Sequence, residues 1–448
     1  MTSDLLGNPI TDTAPDLVAA INDFIQGFLA YQTQAVNILG LIDRHPESGL
    51  GNAYAGFLWM FLESPEAPAR AAPYLERALA AAGTARETAN ARVLAAWVAG
   101  DIPETIRLCE AIARDYPTDL AIIKLGQYHL FNLGDASGML RMALHAFPAC
   151  ETLPYVHGMA AFGYEQCHLM REAEAAARRA MEIEPTDPWA HHALAHVMLT
   201  QGRVDEGIAF LESVSPCWEG LNSFMQTHNW WHLALFYISR DRQEDALAVY
   251  DRHVWACEKD YSQDQVGAVS LLARMDFAGI DVGGRWTEVA TRIAARGPDT
   301  VSPFLTLQYL YALAHAGLPE AETMMAAIRK RAETPAHDQA AWAEVALPAA
   351  AGILAHAAGD AARAVRDLGR ALPRMQEIGG SHAQRDFFEQ IHLDALIRAG
   401  AASAAQQVLE MRRGYDPDGI PLNRMLARVY DAVGLPEQAR QARARAGG

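Results

Sequence analysis

Apolar and polar residues recur with a helical period along most of the 448-residue chain, in paired amphipathic segments joined by short turns. The clearest pair runs from Pro154 to Pro185, and its second segment is rich in alanine. Counted from Pro154, the small residues Ala161, Ala173 and Ala180 occupy positions 8, 20 and 27. Small residues at such points let two helices approach closely, and a proline ends the second helix. This spacing predicts a helix–turn–helix repeat of about 34 residues.

Further copies of the repeat follow in the same register. Units begin at Asp119, Pro188 and Thr227, and a weaker copy ends at Pro117. Degenerate hairpins are predicted on both sides of this centre, at 51–82, 302–332, 341–372, 384–413 and 421–443. The predicted fold is therefore all-α: a tetratricopeptide-like α-solenoid, built as a right-handed superhelix of helical hairpins. We expect one continuous solenoid over residues 1–448, with an N-terminal cap at 1–50, the best-defined repeats at 86–253, an irregular part at 254–300 and degenerate repeats at 301–448.

Histidines gather on the first helices of two consecutive repeats. In a repeat of this type the first helix of each pair lines the concave side, which is the surface that solenoids use for binding. His192 and His196 take positions 5 and 9 of the unit that begins at Pro188, so they share one helical stripe. His228 takes position 2 of the next unit, and His232 follows one turn later. Because packed helices lie roughly 8–10 Å apart, we expect the four imidazoles to converge or to line one polar pocket.

These four histidines are the predicted catalytic and metal-binding residues. Neutral imidazoles bind Zn²⁺ or another divalent ion, and they act as general acids and bases near neutral pH. Other concave positions hold polar and aromatic side chains that suit a compact pocket; the predicted ligand-binding residues there are Gln127, Tyr155, Glu165, Asn229 and Trp231. A chain with 16 histidines also produces such pairs by chance, and the alternative is that they pack in the core.

A second candidate is the turn before a C-terminal hairpin. The pair Gly379–Gly380 ends one helix, and Ser381 with Gln384 has the form of a capping box that begins the next. Amide groups at a helix start attract an anionic or carbonyl group, so further ligand-binding residues are predicted here: Ser381, His382, Arg385 and Asp386. The alternative is an ordinary interhelical turn in which Arg385 and Asp386 pair with each other.

Composition and charge narrow the choice of partner and location. The chain has 37 basic and 54 acidic residues, a formal charge of −17. Nucleic-acid-binding surfaces need concentrated Lys and Arg, so no nucleic-acid partner is expected. Five widely spaced cysteines without a CxxC pair are typical of reduced residues in an intracellular protein. We find no signal peptide and no apolar run of about 18 residues, which predicts no membrane segment and a cytoplasmic location.

Three strings exceed what a generic repeat demands: DPWAHHALAHV at 187–197, THNWWHLALFY at 227–237 and GGSHAQRD at 379–386. In these strings the chain resembles the tetratricopeptide repeat protein 38 family, with the likeness extending over nearly its whole length. The resemblance implies the helical-repeat fold but no settled activity, and it implies a shared residue pattern that comprises His192, His196, Asn229, Trp231, His232 and Arg385. The chain departs from that pattern at Leu305–Thr306 and Gln308, where the family tends to carry Asn-Asp and His, and at Gln127, where a His occurs in relatives.

Two classes of function remain open. In the first, the histidine-rich concave pocket binds a small polar or anionic ligand or a divalent metal such as zinc, with hydrolase- or lyase-type acid/base chemistry if the chain is an enzyme. No P-loop, dinucleotide fingerprint, GxSxG or HExxH occurs, so we expect no nucleotide cofactor. In the second, the chain is a non-catalytic scaffold that holds a peptide or protein in its groove. A small molecule or a peptide is the expected partner, and the sequence is compatible with a homo-oligomer.

Overall fold

The computed structural model describes residues 2–81 and 83–447, and 76% of the structure is helical. A short antiparallel pair of strands, β1 Thr2–Ser3 and β2 Pro9–Ile10, precedes the first helix. The chain forms two compact units: unit 1 is Met1–Leu194 with Trp218–Met225, and unit 2 is Ala195–Cys217 with Gln226–Gly448. The all-helical repeat fold predicted from the sequence is confirmed. The single continuous solenoid stays a prediction.

Unit 1 consists of successive helical hairpins after the strand pair. Its helices are α1 Pro15–Ala30, α2 Asn37–Leu41, α3 Gly49–Met60, α4 Ala67–Ala80, α5 Ala85–Val98, α6 Ile102–Asp115, α7 Leu120–Asn132, α8 Ala136–Cys150, α9 Val156–Gln166 and α10 Met170–Ile183. Helix α11, Pro188–Thr200, begins in unit 1 and ends in unit 2. Short 3₁₀ segments lie at Thr33–Val36 and Ile42–Arg44. The predicted hairpin at 51–82 corresponds to α3 and α4, except that its last residue, Ala82, lies outside the described residues.

Unit 2 continues with hairpins and two π-helical segments. Helix α13, Ser223–Ser239, has its first three residues in unit 1 and the rest in unit 2. The other helices of unit 2 are α12 Val204–Val214, α14 Gln243–Val249, α15 Ser262–Ala278, α16 Arg285–Ala295, α17 Pro303–His315, α18 Glu320–Glu333, α19 Leu347–Ala357, α20 Ala361–Ala371, α21 His382–Arg398, α22 Ala402–Arg413, α23 Ile420–Ala432 and α24 Pro436–Arg445. The π-helical segments are Tyr250–Val254 and Ala341–Ala346, and 3₁₀ segments lie at Ser215–Trp218 and Leu372–Ile378. Residues 254–300, which we expected to be irregular, contain the regular helices α15 and α16.

Small residues at the predicted positions let the helices of a hairpin pack closely. Ala161 and Ala173 are fully buried between α9 and α10. At position 20 of the next repeat, a Cβ on Gly207 would stand 2.6 Å from the ring of Phe236. Because real Cβ atoms essentially never approach that closely, any larger residue there would force the Phe236 ring to shift. The small-residue pattern of the sequence is thus explained by contact between helices.

The N-terminal helix α1 lies against the first helices of the repeats in unit 1. The Lys124 ammonium of α7 donates to the carbonyl oxygens of Phe28 at 2.5 Å and Leu29 at 3.0 Å, near the C-terminus of α1. The Gln26 amide donates to the Tyr155 hydroxyl at 2.7 Å. A cation near a helix C-terminus is favourable because the last carbonyl groups point outward there. Helix α1 is therefore held by side chains at α7 and at the start of α9.

In unit 2 a segment near the C-terminus packs against the end of α13. The loop between α22 and α23 contacts the turn that follows α13, where the Ser239 hydroxyl donates to the Asp416 carboxylate at 2.9 Å. The Arg240 guanidinium donates to the carbonyl of Asp418 at 3.2 Å, and Arg424 pairs with Asp241 at 2.6 Å. These contacts join the loop between α22 and α23, and α23 itself, to the end of α13. Among the described residues, no helix is both long and apolar enough to cross a membrane.

Candidate histidine site

Three of the predicted histidines come together within unit 2. His196 lies on α11, and His228 and His232 lie one turn apart on the adjacent helix α13. The ring centroids of His196 and His232 are 4.5 Å apart, and those of His228 and His232 are 4.8 Å apart. Each of the three offers a ring nitrogen within 4.8 Å of the other two. We call these residues the histidine cluster.

The histidine cluster is largely buried. His196 and His232 have no solvent exposure, whereas His228 is partly exposed. Burial, and then the nearby His196, lower the pKa of His228 to about 3. A neutral imidazole carries a lone pair that a metal ion or a proton can use. The site therefore presents a nitrogen-donor surface in a largely dry environment.

His192 lies one turn before His196 on α11 and has its own neighbours in unit 1. Its ring stacks on Trp189 with centroids 4.4 Å apart, and the Phe162 ring lies 5.0 Å away. The preceding His191 has a structural role: its Nε2 lies 2.9 Å from the carbonyl oxygen of Pro185, and its Nδ1 accepts from an indole N–H of Trp218. These contacts hold His191 within unit 1.

The other predicted pocket residues fall into two groups. In unit 1, the Gln127 amide donates to the backbone carbonyls of Met139 and Met159, and the Tyr155 hydroxyl accepts from Gln26. Glu165 is fully buried and accepts from its neighbour Gln166 at 2.6 Å. In unit 2, Asn229 and Trp231 are buried on α13 beside the histidine cluster. The polar groups of Gln127 and Tyr155 are thus engaged in holding helices together.

The turn before α21 has the predicted capping box. The Ser381 hydroxyl accepts from the Gln384 amide at 3.2 Å, and the Gln384 side chain accepts from the Ser381 amide at 2.9 Å. This cap begins α21 so that His382, its first residue, lies with its ring centroid 5.4 Å from that of His196. The Arg385 guanidinium donates back to the carbonyl of Gly380. The capping turn therefore brings a fourth imidazole to the histidine cluster.

Asp386 has charged partners on two other helices. It pairs with Arg412 of α22, lies 3.7 Å from Arg274 of α15, and accepts from Gln390 at 2.6 Å. Although burial opposes the charge of this carboxylate, Arg412 and then Arg274 lower the pKa of Asp386 to about 2.

Replacement of Asp386 by Asn is expected to reduce the free energy of unfolding by about 2 kcal/mol at neutral pH. Because the folded-state pKa lies below the ordinary value of 3.8, this contribution is present above that value and is lost as the pH falls toward 2. Urea denaturation of wild type and Asp386→Asn at pH 7 and at about pH 3 measures the difference. If wild type and Asp386→Asn differ in free energy of unfolding by the same amount at both pH values, the lowered pKa of Asp386 is contradicted.

Sequence reasoning missed Arg274, a buried cation next to the histidine cluster. It lies on α15, within a predominantly apolar stretch, and is 4% exposed. Its guanidinium carbon stands 5.2 Å from the centre of the Trp231 ring, and its Nη2 donates to the Ala383 carbonyl at 2.7 Å. Burial lowers its pKa to about 10, which leaves it charged at neutral pH. An arginine at a core position of an apolar helix is the signal that could have identified it.

Comparison with known proteins supports the repeat class. Residues 170–217 match the family model described as tetratricopeptide repeat. This segment contains α11 and α12, and with them His192 and His196. The fold and the match together define a helical-repeat protein of the tetratricopeptide type. The finer resemblance to the tetratricopeptide repeat protein 38 family stays a prediction.

The solved structures to which this chain is similar are distant from it in sequence. A human IFIT1 dimer with PPP-AAAA is 12% identical over 95% of this chain and 94% of that chain, with a TM-score of 0.43. A human IFIT1 dimer with m7Gppp-AAAA is 11% identical over the same shares, also with a TM-score of 0.43. The P58(IPK) TPR domain is 10% identical over 81% of this chain and 92% of that chain, with a TM-score of 0.23.

The IFIT1 structures correct one expectation about partners. We expected no nucleic-acid partner because the chain has a formal charge of −17. That exclusion is wrong, because the IFIT1 chains, which are also helical-repeat proteins, are solved with PPP-AAAA and m7Gppp-AAAA. Net charge describes the whole surface, whereas binding of phosphate groups depends on the local field at one site. Overall acidity therefore does not exclude this class of partner.

Proposed function

We propose that this helical-repeat protein binds a divalent metal ion such as Zn²⁺ through the imidazoles of His196, His228 and His232. The observation that supports this function is the histidine cluster itself, in which three ring nitrogens lie within 4.8 Å of one another. Zn–N bonds are about 2.0–2.1 Å long, so a shared ion requires the nitrogens to close by roughly an ångström. Side-chain rotation on α11 and α13 supplies a change of that size.

The chemistry of the donor set also supports the proposal. Histidine nitrogens are preferred ligands of Zn²⁺, and a catalytic zinc site keeps three protein ligands and one open position for water or substrate. A water at that position loses its proton near neutral pH, which is the basis of metal-assisted hydrolase and lyase chemistry. His192, one turn before His196 on α11, is the candidate fourth ligand from the sequence pattern. With three ligands the ion would be reactive, and with four it would be structural.

Metal content and cobalt spectroscopy test this function. Purified protein equilibrated with Co²⁺ or Zn²⁺ and freed of excess metal is expected to retain one ion per chain, and Co²⁺ is expected to give the visible bands of a four-coordinate site. The double variant His228→Ala/His232→Ala is expected to retain none. The exposed His337→Ala is the matched control and is expected to bind as wild type does. Metal-free wild type, or unchanged binding by the double variant, would sink the proposal.

A single replacement separates the catalytic form of the site from the structural form. In His192→Ala, a three-ligand site is expected to keep its ion and its cobalt spectrum. A site with four protein ligands is expected to lose affinity and to change spectrum, since a water would replace an imidazole. Isothermal titration with Co²⁺ measures both affinities.

A second candidate function is a non-catalytic scaffold that holds a peptide or protein. The match of residues 170–217 to the tetratricopeptide repeat model favours it, since such repeats bind through extended surfaces. The two functions differ in where a partner would bind. Metal binding that is lost with the histidine cluster supports the first, whereas a metal-free protein that binds a peptide despite the same substitutions supports the scaffold.

A further inference from the structure

We infer that Arg274 is the positioning residue of the proposed metal site. It holds α13 and the first turn of α21 in place. This inference rests on the proposed function and deepens it. Arg274 lies on α15, between α13, which carries His228 and His232, and the first turn of α21, which carries His382. Its effect passes through Trp231 on one side and through backbone carbonyls on the other.

On the α13 side, Arg274 acts through the Trp231 ring. The guanidinium carbon is 5.2 Å from the centre of that ring, within the range of a cation–π interaction. Trp231 is 1% exposed and stacks on His228, with ring centroids 5.4 Å apart and an angle of 8° between the planes. The same indole meets His232 edge-on at 4.8 Å. The indole therefore fixes the orientation of two of the three proposed ligands, and Arg274 fixes the indole.

On the α21 side, Arg274 binds the backbone of the capping turn. Its Nη2 donates to the carbonyl oxygens of Ala383 at 2.7 Å and Gln384 at 3.4 Å. These residues directly follow His382, whose ring contacts His196. One guanidinium thus connects the imidazoles of α13 with the imidazole of α21. Its planar group presents several donors in fixed directions, which an ammonium group does not.

The charge of Arg274 is compensated away from the histidine cluster. Asp386 lies 3.7 Å from its guanidinium, and Arg412 of α22 pairs with the same carboxylate. Ser270, one turn earlier on α15, also accepts from Arg274 through its hydroxyl and its carbonyl. Since a buried cation is costly unless it is paired and hydrogen-bonded, these partners stabilise the guanidinium in this position. The outer contacts of metal ligands are known to control affinity by 10–100-fold.

The test compares Co²⁺ binding by wild type, Arg274→Met and Arg274→Lys. Arg274→Met is expected to raise the Kd for Co²⁺ by roughly 10–100-fold and to alter the visible spectrum of bound cobalt. Arg274→Lys keeps the charge over Trp231 and is expected to recover part of the affinity. Arg398→Met, at the other end of α21 and 55% exposed, is the matched control and is expected to bind as wild type does.

The possible results separate this inference from the proposed function. If wild type binds no Co²⁺, the proposed metal site is wrong, and the proposed role of Arg274 is wrong as well. If wild type and Arg274→Met bind with equal affinity and identical spectra, only the role of Arg274 is wrong. If Arg274→Met loses its helical circular dichroism, Co²⁺ binding by Trp231→Phe is measured instead. A raised Kd with intact helicity supports the inference, and an unchanged Kd overturns it.

Discussion

Replacement of Arg86 by Met is expected to lower the free energy of unfolding of unit 1 by about 3–5 kcal/mol. The Arg86 side chain on α5 is 1% exposed and lies between two equally buried carboxylates. It pairs with Asp4 of the N-terminal strand pair at 2.9 Å and with Asp119, which begins α7, at 2.8 Å. Without the guanidinium both carboxylates would remain buried without their cation, which costs more than the packing of a methionine recovers.

This ion triad holds the first residues of the chain on the repeats. Asp4 accepts from the backbone amides of Leu6 and Asn8, and it thereby shapes the turn between β1 and β2. Because burial raises the pKa of Asp4 against the effect of Arg86, the carboxyl is expected to take up a proton readily once the cation is gone. The strand pair is then expected to detach before the rest of unit 1 unfolds.

Urea denaturation and limited proteolysis of the N-terminal residues measure these effects. The exposed Arg171→Met is the control for loss of a surface ion pair and is expected to change stability by less than about 1 kcal/mol. The triple variant Asp4→Asn/Arg86→Met/Asp119→Asn also neutralises both partners. It is expected to recover most of the lost free energy of unfolding, since no buried charge remains in the triad. A stability of Arg86→Met within 1 kcal/mol of wild type would contradict this account.

Saturation of the histidine cluster with Zn²⁺ is expected to raise the unfolding free energy by about 4 kcal/mol when free metal is 1,000 times the Kd. The reason is that the ligands come from α11 and α13, which are brought together only in the folded chain. An ion that binds the folded state and not the unfolded state stabilises by mass action. Thermal unfolding at increasing Zn²⁺ concentration measures the shift.

The double variant His228→Ala/His232→Ala is expected to show no such shift, whereas the exposed His337→Ala shows the full one. A chelator is expected to reverse the stabilisation of wild type. If Zn²⁺ stabilises the double variant as much as wild type, the ion binds elsewhere on the acidic surface. This experiment reports on folding and so complements the stoichiometry measured by elemental analysis.

Much of the fold could be predicted because it depends on sequence patterns within single hairpins and turns. The buried small residues Ala161 and Ala173 sit where a repeat register requires close helix contact, and Ser381 with Gln384 forms the expected capping box. Such signals involve residues within one hairpin or one turn, so spacing along the chain is sufficient. The contact of Asp416 with Ser239 joins residues 177 positions apart, and no local pattern encodes it.

The candidate site could be predicted only in part, for the same reason. The repeat register predicts that His196, His228 and His232 lie on adjacent first helices, and in the structure these three imidazoles lie close together. Gln127 was assigned to the pocket from its register, yet its amide is used by the carbonyls of Met139 and Met159. Register gives the face of a helix on which a side chain lies, but it does not give the partner that the side chain finds there.

By itself, the sequence determined the helical-repeat class and the helices that carry the histidines. Both follow from the 3.6-residue period of a helix and from the size of the residues at hairpin contacts. Tertiary structure alone decided which imidazoles meet, that His382 joins them through the cap of α21, and that Arg274 is buried between the helices that bear them. It also decided that α1 packs against the repeats of unit 1. Those outcomes depend on contacts between distant segments, whose free energies are set by packing and burial.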